Sequence, residues 1–468
     1  LPDAGSAVVA SAPAVVRSVR AAEATEATVA SFNLERFFDT VNAAGVSDVA
    51  LTPAAFETRL AKASRAIRES LRLPDVLGVV EMENLATLQT LAARIGTDAI
   101  AAGLPDPAYA AYLVEGNDIG GIDVGLLVKT TPVAVGVPRV EVVAVAQEGL
   151  TDTYIDPNTL QPALLNDRPP LIGELVVHYA DGRTLPLTVI VNHLRSLNGV
   201  ADETPQGLGT IGARVRAKRA AQAESLARLV QGRLTARPDE RLVLVGDFNA
   251  FQFSDGLVDL IGTIKGTPAP ADTVVLASPD LLEPDLVDLV DAVSPAQRYS
   301  YVFDGNAQSL DHVLVSPAAL SSVSEIAFTR GNADAPETAR NLVDSPARIS
   351  DHDAAVVYLR ATPPDVTAQV RFTRLPFVFN PLTRVSLSLL GVTNRGPGKI
   401  VGPVHLVFDD LAPGLTLLGA SGTIDGAPFL TLDVPALRPG ETWLPLVRFA
   451  NPGRVPVTFT PRLLSGRF

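Results

Sequence analysis

Two short polar strings stand next to apolar runs that are typical of buried strands. Gly-Asp-Phe-Asn occupies residues 246–249 and follows the largely apolar run 241–245, whereas Ser-Asp-His-Asp occupies residues 350–353 and precedes the apolar run 354–359. Carboxylates, an amide and an imidazole at strand ends suit a divalent cation and a phosphate ester. The two strings therefore predict a site for phosphodiester hydrolysis.

Further polar side chains stand at the exits of apolar runs, namely Asn33, Glu81 and His193. A carboxylate there can bind a hard cation, an amide can bond a phosphate oxygen, and an imidazole can protonate a leaving group. Each also has a plainer interpretation: a solvated strand end for Glu81, a turn residue for Asn33 and a structural histidine for His193. Arg195, just beyond His193, and Arg168, in a predicted loop, could place positive charge against a phosphate.

The remaining candidates pair carboxylates with imidazoles. Asp311 leads into an apolar strand and could orient an imidazole, while the Ser-Asp-His-Asp string supplies Asp351 as a ligand and His352 as a candidate base. Asp123 stands inside an apolar strand, where a carboxylate is unusual unless it is paired. Its partner would be His193 or, in a structural salt bridge, an arginine. Three of the five histidines fall in these motifs, which favours a shared site.

Composition and charge limit the classes of protein. The chain has 468 residues, of which 47% are hydrophobic and 19% charged, so we expect a globular protein of two or three domains. The net charge of −13 argues against a large nonspecific nucleic-acid footprint, although a local basic groove and a bound metal can offset it. The chain has no cysteine, which excludes disulfides and a cysteine nucleophile. No apolar run is long enough to span a bilayer, and the apolar segment 7–16 is not a complete signal peptide.

The order of predicted elements indicates three parts. Residues 1–27 are interpreted as a tail or linker. Over 28–361 strands alternate with helices, which predicts an α/β or α+β layered domain. A long basic helix near 213–234 could line a nucleic-acid groove or present a solvated face. After the Thr-Pro-Pro string at 362–364, short strands and turn residues predict an all-β sandwich over 362–468 with a structural or tethering role.

Taken in order, seven strings resemble the endonuclease/exonuclease/phosphatase superfamily, which includes deoxyribonucleases, abasic-site endonucleases, neutral sphingomyelinases and inositol phosphatases. The strings are Ser-Phe-Asn-Leu-Glu (31–35), Asp-Val-Leu-Gly-Val-Val-Glu-Met-Glu-Asn (75–84), Gly-Ile-Asp-Val-Gly-Leu-Leu (121–127), Val-Asn-His-Leu-Arg-Ser (191–196), Gly-Asp-Phe-Asn (246–249), Ser-Leu-Asp-His-Val-Leu-Val-Ser (309–316) and Ser-Asp-His-Asp (350–353). The string Asn-Asp-Arg-Pro-Pro-Leu (166–171) is similar to the predicted extracellular nuclease branch. The β domain resembles immunoglobulin-like modules only in its generic pattern.

The resemblance implies a four-layer sandwich of two β-sheets face to face with helices outside. It also implies hydrolysis by an activated water, with Mg²⁺ or a similar cation such as Mn²⁺ or Ca²⁺. By motif position, Glu81 is implied as the principal metal ligand with Asn33 beside it, and Asp351 lies at the metal. His352 is implied as the catalytic imidazole, oriented by Asp311.

The same resemblance implies roles around the phosphate. Asp247 and Asn249 would position the water and the scissile phosphate. His193, paired with Asp123, would be the second imidazole and act as an acid or a phosphate clamp.

We therefore predict a metal-dependent phosphodiester hydrolase, most simply an exported or cell-surface nuclease whose partner is nucleic acid. Two alternatives stay open: a lipid phosphodiesterase or phosphatase of the same fold, and a non-catalytic binding protein on a hydrolase scaffold. The β domain would bind or tether to a surface or another protein.

Overall fold

The chain folds into two compact units that divide between Leu359 and Arg360 in the computed structural model. The structure describes residues 15–43, 45–180, 182–361, 363, 365–424 and 426–466. The sequence placed the domain boundary after Ala361, two residues beyond Leu359.

Part of the predicted tail belongs to the first unit. Arg17 and Arg330 exchange two backbone hydrogen bonds of 3.0 Å. Val19 is only 4% exposed and joins a hydrophobic core cluster of this unit. The first strand already begins at Glu26, whose carboxylate pairs with Arg20 at 2.7 Å. The prediction of a tail therefore does not hold for these residues, and residues 1–14 lie outside the described part of the chain.

Two six-stranded sheets form the frame of the first unit. Their strands are β1 (Glu26–Phe37), β2 (Val76–Met82), β3 (Tyr109–Leu113), β4 (Asp123–Lys129), β5 (Val140–Gln147), β6 (Leu171–His178), β7 (Thr184–His193), β8 (Leu242–Asp247), β9 (Val287–Asp288), β10 (Asp311–Val315), β11 (Val323–Phe328) and β12 (Ala355–Arg360). The first sheet has the order β11-β12-β1-β2-β4-β3, and the second has the order β9-β10-β8-β7-β6-β5. The central pairs β1/β2 and β7/β8 are parallel, so their carboxyl ends lie at the same edge of each sheet.

The two sheets pack face to face, with β2 and β4 against β7 and with β1 against β8. Gly78 in β2 marks the closest approach of the layers. A Cβ atom at this position would lie 3.0 Å from methyl carbons of Val191 and Val245 in the second sheet. The residue must therefore be small, since real Cβ contacts are rarely that short.

Helices cover the outer faces of both sheets. They are α1 (Pro53–Arg65, continued by a π-helical turn at Ala66–Ser70), α2 (Leu85–Ala101), α3 (Ile211–Ala236), α4 (Leu260–Lys265) and the short α5 (Pro317–Leu320). Thr52 caps α1 by accepting a hydrogen bond from the Ala55 amide, as expected of an N-cap hydroxyl. The apolar stripe of α1 and the turn that continues it is buried against the first sheet and includes Leu60, Ala63 and Ile67. The four-layer sandwich that the resemblance implied is confirmed.

Shorter elements connect this frame. They are the hairpins Pro132–Ala134 with Val137–Pro138, Thr153–Asp156 with Gln161–Leu164, Pro205–Gln206 with Gly209–Thr210 and Tyr301–Phe303 with Asn306–Gln308, and the 3₁₀ turns Leu289–Ala292, Pro295–Gln297 and Glu337–Ala339.

Most of the basic side chains of α3 are buried or paired with acids of the protein, although Arg214 and Arg228 are more exposed. Lys218 pairs with Asp167 at 2.7 Å, and Arg233 pairs with Glu240 at 2.5 Å. Arg219 is only 1% exposed. Neither a nucleic-acid groove nor a freely solvated face describes this helix, because much of its positive charge is buried or neutralised by internal acids.

The second unit is all β. Its strands are Val370–Arg374, Val378–Asn380, Val385–Asn394, Ile400–Val401, Val404–Asp409, Thr416–Leu417, Gly422–Ile424, Ala427–Leu432, Ala436–Leu437, Thr442–Trp443, Leu446–Ala450 and Thr460–Ser465, preceded by a 3₁₀ turn at Thr367–Gln369. A sheet of six strands and a sheet of four share one core, in which Phe408, Phe449 and Phe459 pack edge to face or tilted. The predicted β-sandwich is confirmed. None of the helices in the described residues is both long and apolar enough to cross a membrane.

Candidate active site

A cleft of about 740 Å³ opens in the first unit where the central strands end. Eight of the eleven side chains predicted for the site line it: Glu81, Arg168, His193, Arg195, Asp247, Asn249, Asp351 and His352. Two others stand directly behind it, because Asn33 bonds Glu81 and Asp311 bonds His352. Only Asp123 makes neither kind of contact.

Strand register explains why residues distant in the chain converge. In the second sheet, His193 at the end of β7 pairs with Asp247 at the end of β8, and Asp247 pairs with Asp311 at the start of the antiparallel β10. In the first sheet, Asn33 of β1 lies opposite Val80, one residue before Glu81. Because the sheets are stacked, these two edges face each other across the cleft.

Glu81, His193 and Asp247 form a compact cluster of ligand atoms that all lie within 4.8 Å of one another. His193 Nε2 is 4.0 Å from Glu81 Oε1 and 3.8 Å from Asp247 Oδ2. Asn33 Nδ2 joins the two carboxylates, since it donates to Glu81 Oε1 at 3.1 Å and to Asp247 Oδ2 at 3.3 Å. Burial, and then the negative charges of Asp311 and Glu81, raise the pKa of Asp247 to about 7.

This cluster fits a divalent cation. Two carboxylates converge with a single amide between them, so a cation there would relieve their repulsion. Burial, followed by the charges of Arg168 and His352, lowers the pKa of His193 well below its usual value, so its ring is neutral at pH 7 and Nε2 is free to act as a ligand. The resemblance implied Glu81 at the metal with Asn33 and Asp351 beside it; Asn33 does bond Glu81, but the ligand atoms that converge with Glu81 are those of His193 and Asp247. Asp351 lines the cleft outside this cluster.

The second imidazole is held by a carboxylate. His352 Nδ1 lies 2.6 Å from Asp311 Oδ2, so the hydrogen bond implied by the resemblance is present. Its Nε2 points to the cleft, 3.9 Å from Asp247 Oδ2, and the Tyr301 ring packs on the imidazole with 4.8 Å between centroids. Burial opposes the charged ring, but the charges of Asp311 and Asp247 raise the pKa of His352 well above its usual value. The two imidazoles of the cleft therefore differ in charge near neutral pH.

The predicted pairing of Asp123 with His193 is wrong. His193 Nδ1 is buried and has no hydrogen-bond partner within the described residues, and Asp123 Oδ1 instead accepts the Gly116 amide at 2.8 Å. Asp123 opens β4, one strand beyond β2 in the first sheet, whereas His193 ends β7 in the second. Burial, and then the nearby Glu115, raise the pKa of Asp123 to about 8. The alternative, a salt bridge between Asp123 and an arginine, is not formed within the described residues either.

The remaining predicted residues are fixed by the walls of the cleft. Asn249, at φ 49°, donates its backbone N–H to Asp247 Oδ1 at 2.8 Å. Arg168 pairs with Asp118 at 2.7 Å, so an internal carboxylate already balances its charge. Among the described residues, the Arg195 guanidinium donates to Ser196 Oγ and the Asn198 carbonyl and pairs with no carboxylate, so its charge is available in the cleft.

The sequence matches the model of the endonuclease/exonuclease/phosphatase family over residues 30–352. The chain belongs to this family. Its enzymes hydrolyse phosphodiesters or phosphate esters and generally use divalent metals, so the chain is a phosphate-ester hydrolase. No curated protein sequence matches the chain.

Solved structures with a similar arrangement include three enzymes at low identity. TDP2 from Caenorhabditis elegans is 15% identical over 72% of this chain and 75% of that protein, with a TM-score of 0.39. The human nocturnin catalytic domain with bound sulfate is 15% identical over 74% of this chain and 96% of that domain, with a TM-score of 0.41. An AP endonuclease from Archaeoglobus fulgidus is 14% identical over 71% of this chain and 98% of that enzyme, with a TM-score of 0.35.

The structure adds residues to this family site that the sequence did not single out. Arg36 lines the cleft and donates its backbone N–H to Glu81 Oε2 at 2.9 Å. The carboxylate of its neighbour Glu35 accepts hydrogen bonds from Arg340 Nη2 at 2.9 and 3.0 Å. Glu35 was part of a quoted motif but had no assigned role. No pattern in the sequence indicates that Tyr301, from a short hairpin, lines the cleft, or that Arg340, from a loop, binds the residue next to Arg36.

Proposed function

We propose that the chain is a metal-dependent phosphodiesterase that cleaves nucleic acid. One observation carries the proposal: a cluster of two carboxylates and a neutral imidazole stands beside a second imidazole that a buried carboxylate holds in place. The first group is suited to a cation and the second to proton transfer, and both line one cleft.

The cation would be held by Glu81, His193 and Asp247, with Asn33 fixing the two carboxylates. Carboxylate-rich sets suit Mg²⁺ or Mn²⁺, and the imidazole favours Mn²⁺ more than Mg²⁺. When bound, a divalent cation stabilises negative charge on phosphoryl oxygens.

The side chains of the cleft supply the remaining functions. Asp311 fixes the ring of His352 through Nδ1, so Nε2 is presented to the cleft as the atom that gives or takes a proton. Asn249 is locked by its hydrogen bonds to Asp247 and to the Leu194 carbonyl, and lies where it can orient a phosphate or a water. Arg36 and Arg195 bring positive charge to the rim for a phosphate oxygen.

Nucleic acid is favoured as the substrate because aromatic rings accompany these charges. Tyr301 and Phe303 both line the cleft, and Phe303 is 55% exposed on its hairpin. An exposed ring next to a phosphate site can stack on a base, which contributes about 1–3 kcal/mol per base in single-stranded complexes. The similarity of residues 166–171 to extracellular nucleases supports export, and the β unit would then serve as a binding or tethering module.

A lipid phosphodiesterase is the second candidate, and one observation favours it. Val49 and Ile119, which are 56% and 80% exposed, also line the cleft beside Phe303. Exposed apolar side chains at the mouth of a site can contact acyl chains or a membrane surface.

A substrate panel tests the proposal. Plasmid DNA, a single-stranded oligonucleotide, sphingomyelin vesicles and a phosphomonoester are incubated with Mg²⁺, Mn²⁺ or Ca²⁺, with and without chelator. We expect cation-dependent cleavage of the nucleic acids that His352→Ala abolishes. Cleavage of sphingomyelin alone would select the lipid candidate, and equal behaviour of wild type and His352→Ala on every substrate would reject the catalytic proposal.

A further inference from the structure

A lysine that does not line the cleft is buried in an unusual environment. Lys62 of α1 is 1% exposed, and its ammonium donates to four backbone carbonyls: Ala339 at 3.1 Å, Leu342 at 2.9 Å, Ser345 at 2.7 Å and Ala347 at 2.7 Å. Within the described residues no carboxylate pairs with it. All four acceptors belong to one stretch, residues 337–349, which we call the carbonyl loop.

Apolar packing holds the two ends of this loop better than its middle. Within the loop, Leu342 and Val343 are exposed, the small side chains of Ala339 and Ala347 pack with Ala335, and Ile349 at its end joins the core of the first sheet. Apolar burial therefore contributes little to ordering the middle of the loop. Burial, followed by the charges of Arg340 and Arg65, lowers the pKa of Lys62 to about 8. A buried ammonium requires strong hydrogen-bond acceptors, and within the described residues the four carbonyls are the only acceptors that Lys62 has.

The carbonyl loop leads directly to the cleft. Arg340 follows the first acceptor, Ala339, and binds both oxygens of Glu35. Glu35 precedes Arg36, whose backbone N–H holds Glu81. At its other end the loop continues through residues 350–351 into His352, so both ends of the loop meet parts of the site.

We propose that Lys62 is a positioning residue for hydrolysis: its ammonium occupies the centre of the carbonyl loop as a bound cation would, and thereby fixes Arg340 against Glu35 and places His352 in the cleft. This inference rests on the proposed function. It predicts that neutralising Lys62 loosens one loop and slows the reaction.

The first test measures the loop without using activity. Lys62→Met keeps most of the side-chain volume and removes the charge. Lys129→Met is the matched control, because Lys129 is also an internal lysine paired with Asp75 at 3.3 Å but does not touch the loop. Under native conditions, trypsin is expected to cut Lys62→Met after Arg340 and Arg348 at least ten times faster than wild type or the control, as followed by mass spectrometry. Equal cutting in the three proteins would overturn the proposal.

The second test restores the missing cation. In Lys62→Ala, n-propylammonium replaces the three methylenes and the ammonium that the substitution removes. Using the substrate identified for the wild type, we expect at least a ten-fold loss of kcat with little change in KM, and recovery of several-fold with n-propylammonium but not with n-propanol. Full activity of Lys62→Ala, or equal effects of the amine and the alcohol, would refute a positioning role.

The two tests separate the proposals. A wild type that is inactive on every substrate rejects the proposed function, and the trypsin experiment then decides by itself whether Lys62 anchors the loop. If neither variant folds, the wild type provides the answer through ¹⁵N-lysine NMR: we expect the Lys62 ammonium protons to exchange at least ten times more slowly than those of other lysines, and exchange at the common rate would reject the anchor.

Discussion

The hydrogen bond between Asp311 and His352 allows the sharpest test of the site, through the substitution Asp311→Asn. The carboxylate accepts the Nδ1–H of His352 at 2.6 Å, and both residues are at least 95% buried. An amide of the same shape removes the charge and can also present N–H₂ to the ring, which would favour the wrong tautomer. The ring would then no longer present Nε2 to the cleft in a fixed protonation state.

The expected loss of rate follows from the strength of a hydrogen bond between charged groups. Hydrogen bonds to charged groups contribute about 1.5–3 kcal/mol, which corresponds to roughly a 10- to 150-fold loss in rate if the bond is needed in the transition state. The expected change is in kcat, because the carboxylate lies behind the ring. Removing its charge also lowers the pKa of His352, which the charge raises, so the limb of the pH–rate profile that reports this ring should move to lower pH.

The chain contains a matched control for this experiment. Asp288 Oδ2 holds His312 Nδ1 at 2.7 Å in the same sheet, but the other ring nitrogen is occupied by the Ala250 carbonyl and neither residue lines the cleft. Asp288→Asn should lower stability and leave the rate of the folded protein unchanged. If Asp311→Asn hydrolyses at the wild-type rate, or if both variants slow the reaction equally per folded molecule, the assignment of His352 to the reaction is refuted.

Three further predictions concern the cation, a buried acid and the backbone. Saturating Mn²⁺ should raise the melting temperature of wild type but not of Glu81→Gln, since binding to the folded chain alone contributes about 2.7 kcal/mol at 100-fold excess over Kd; equal shifts would argue against this cluster. Asp123→Asn should keep the wild-type rate. A carboxyl whose folded pKa is raised to about 8 gives stability at low pH that is lost as the pH rises, so in urea unfolding the free energy of unfolding of the variant should increase relative to wild type by roughly 1 kcal/mol per pH unit from about pH 5 to about pH 8; parallel pH dependence would show that the pKa of Asp123 is not raised. Gly246→Ala, whose Cβ would lie 1.9 Å from the Asn192 carbonyl oxygen at φ 136°, should lower the free energy of unfolding by about 3 kcal/mol in the same assay, and an unchanged midpoint would contradict the backbone geometry.

Much of the site could be predicted because strand ends are readable in a sequence. Asn33, Glu81, His193 and Asp247 each follow an apolar run, and the carboxyl ends of neighbouring parallel strands meet at one edge. Position relative to a strand was therefore sufficient to bring them together. The assignment of ligands was less successful, because which oxygen faces which nitrogen depends on the stacking of two sheets, which no local pattern encodes.

The errors have a physical cause of the same kind. Asp123 lies at the same edge as Glu81, opposite Met82 in the register, and a buried carboxylate there made His193 the natural partner to predict. In the structure the Asp123 carboxylate instead accepts a hydrogen bond from the Gly116 amide in the preceding loop. Lys62 gave no signal at all, since a lysine in an amphipathic helix is normally exposed and its burial here is produced by a loop that lies more than 270 residues later in the chain.

The backbone of the cleft argues for chemistry and against a binding protein that merely retains a hydrolase scaffold. Glu35, Arg36, Glu81 and Asn249 all adopt positive φ values between 49° and 61°, a conformation that costs on the order of 1 kcal/mol for residues with side chains. Two of them are held there by hydrogen bonds to site carboxylates, Arg36 to Glu81 and Asn249 to Asp247. Such strained backbone persists only where surrounding contacts fix it, and here those contacts hold the carboxylates of Glu81 and Asp247 close together in the cleft. A binding surface on the same scaffold would have no need to keep them converged, because charged groups that repel one another in a buried cleft are useful only when a cation and an anionic substrate meet there.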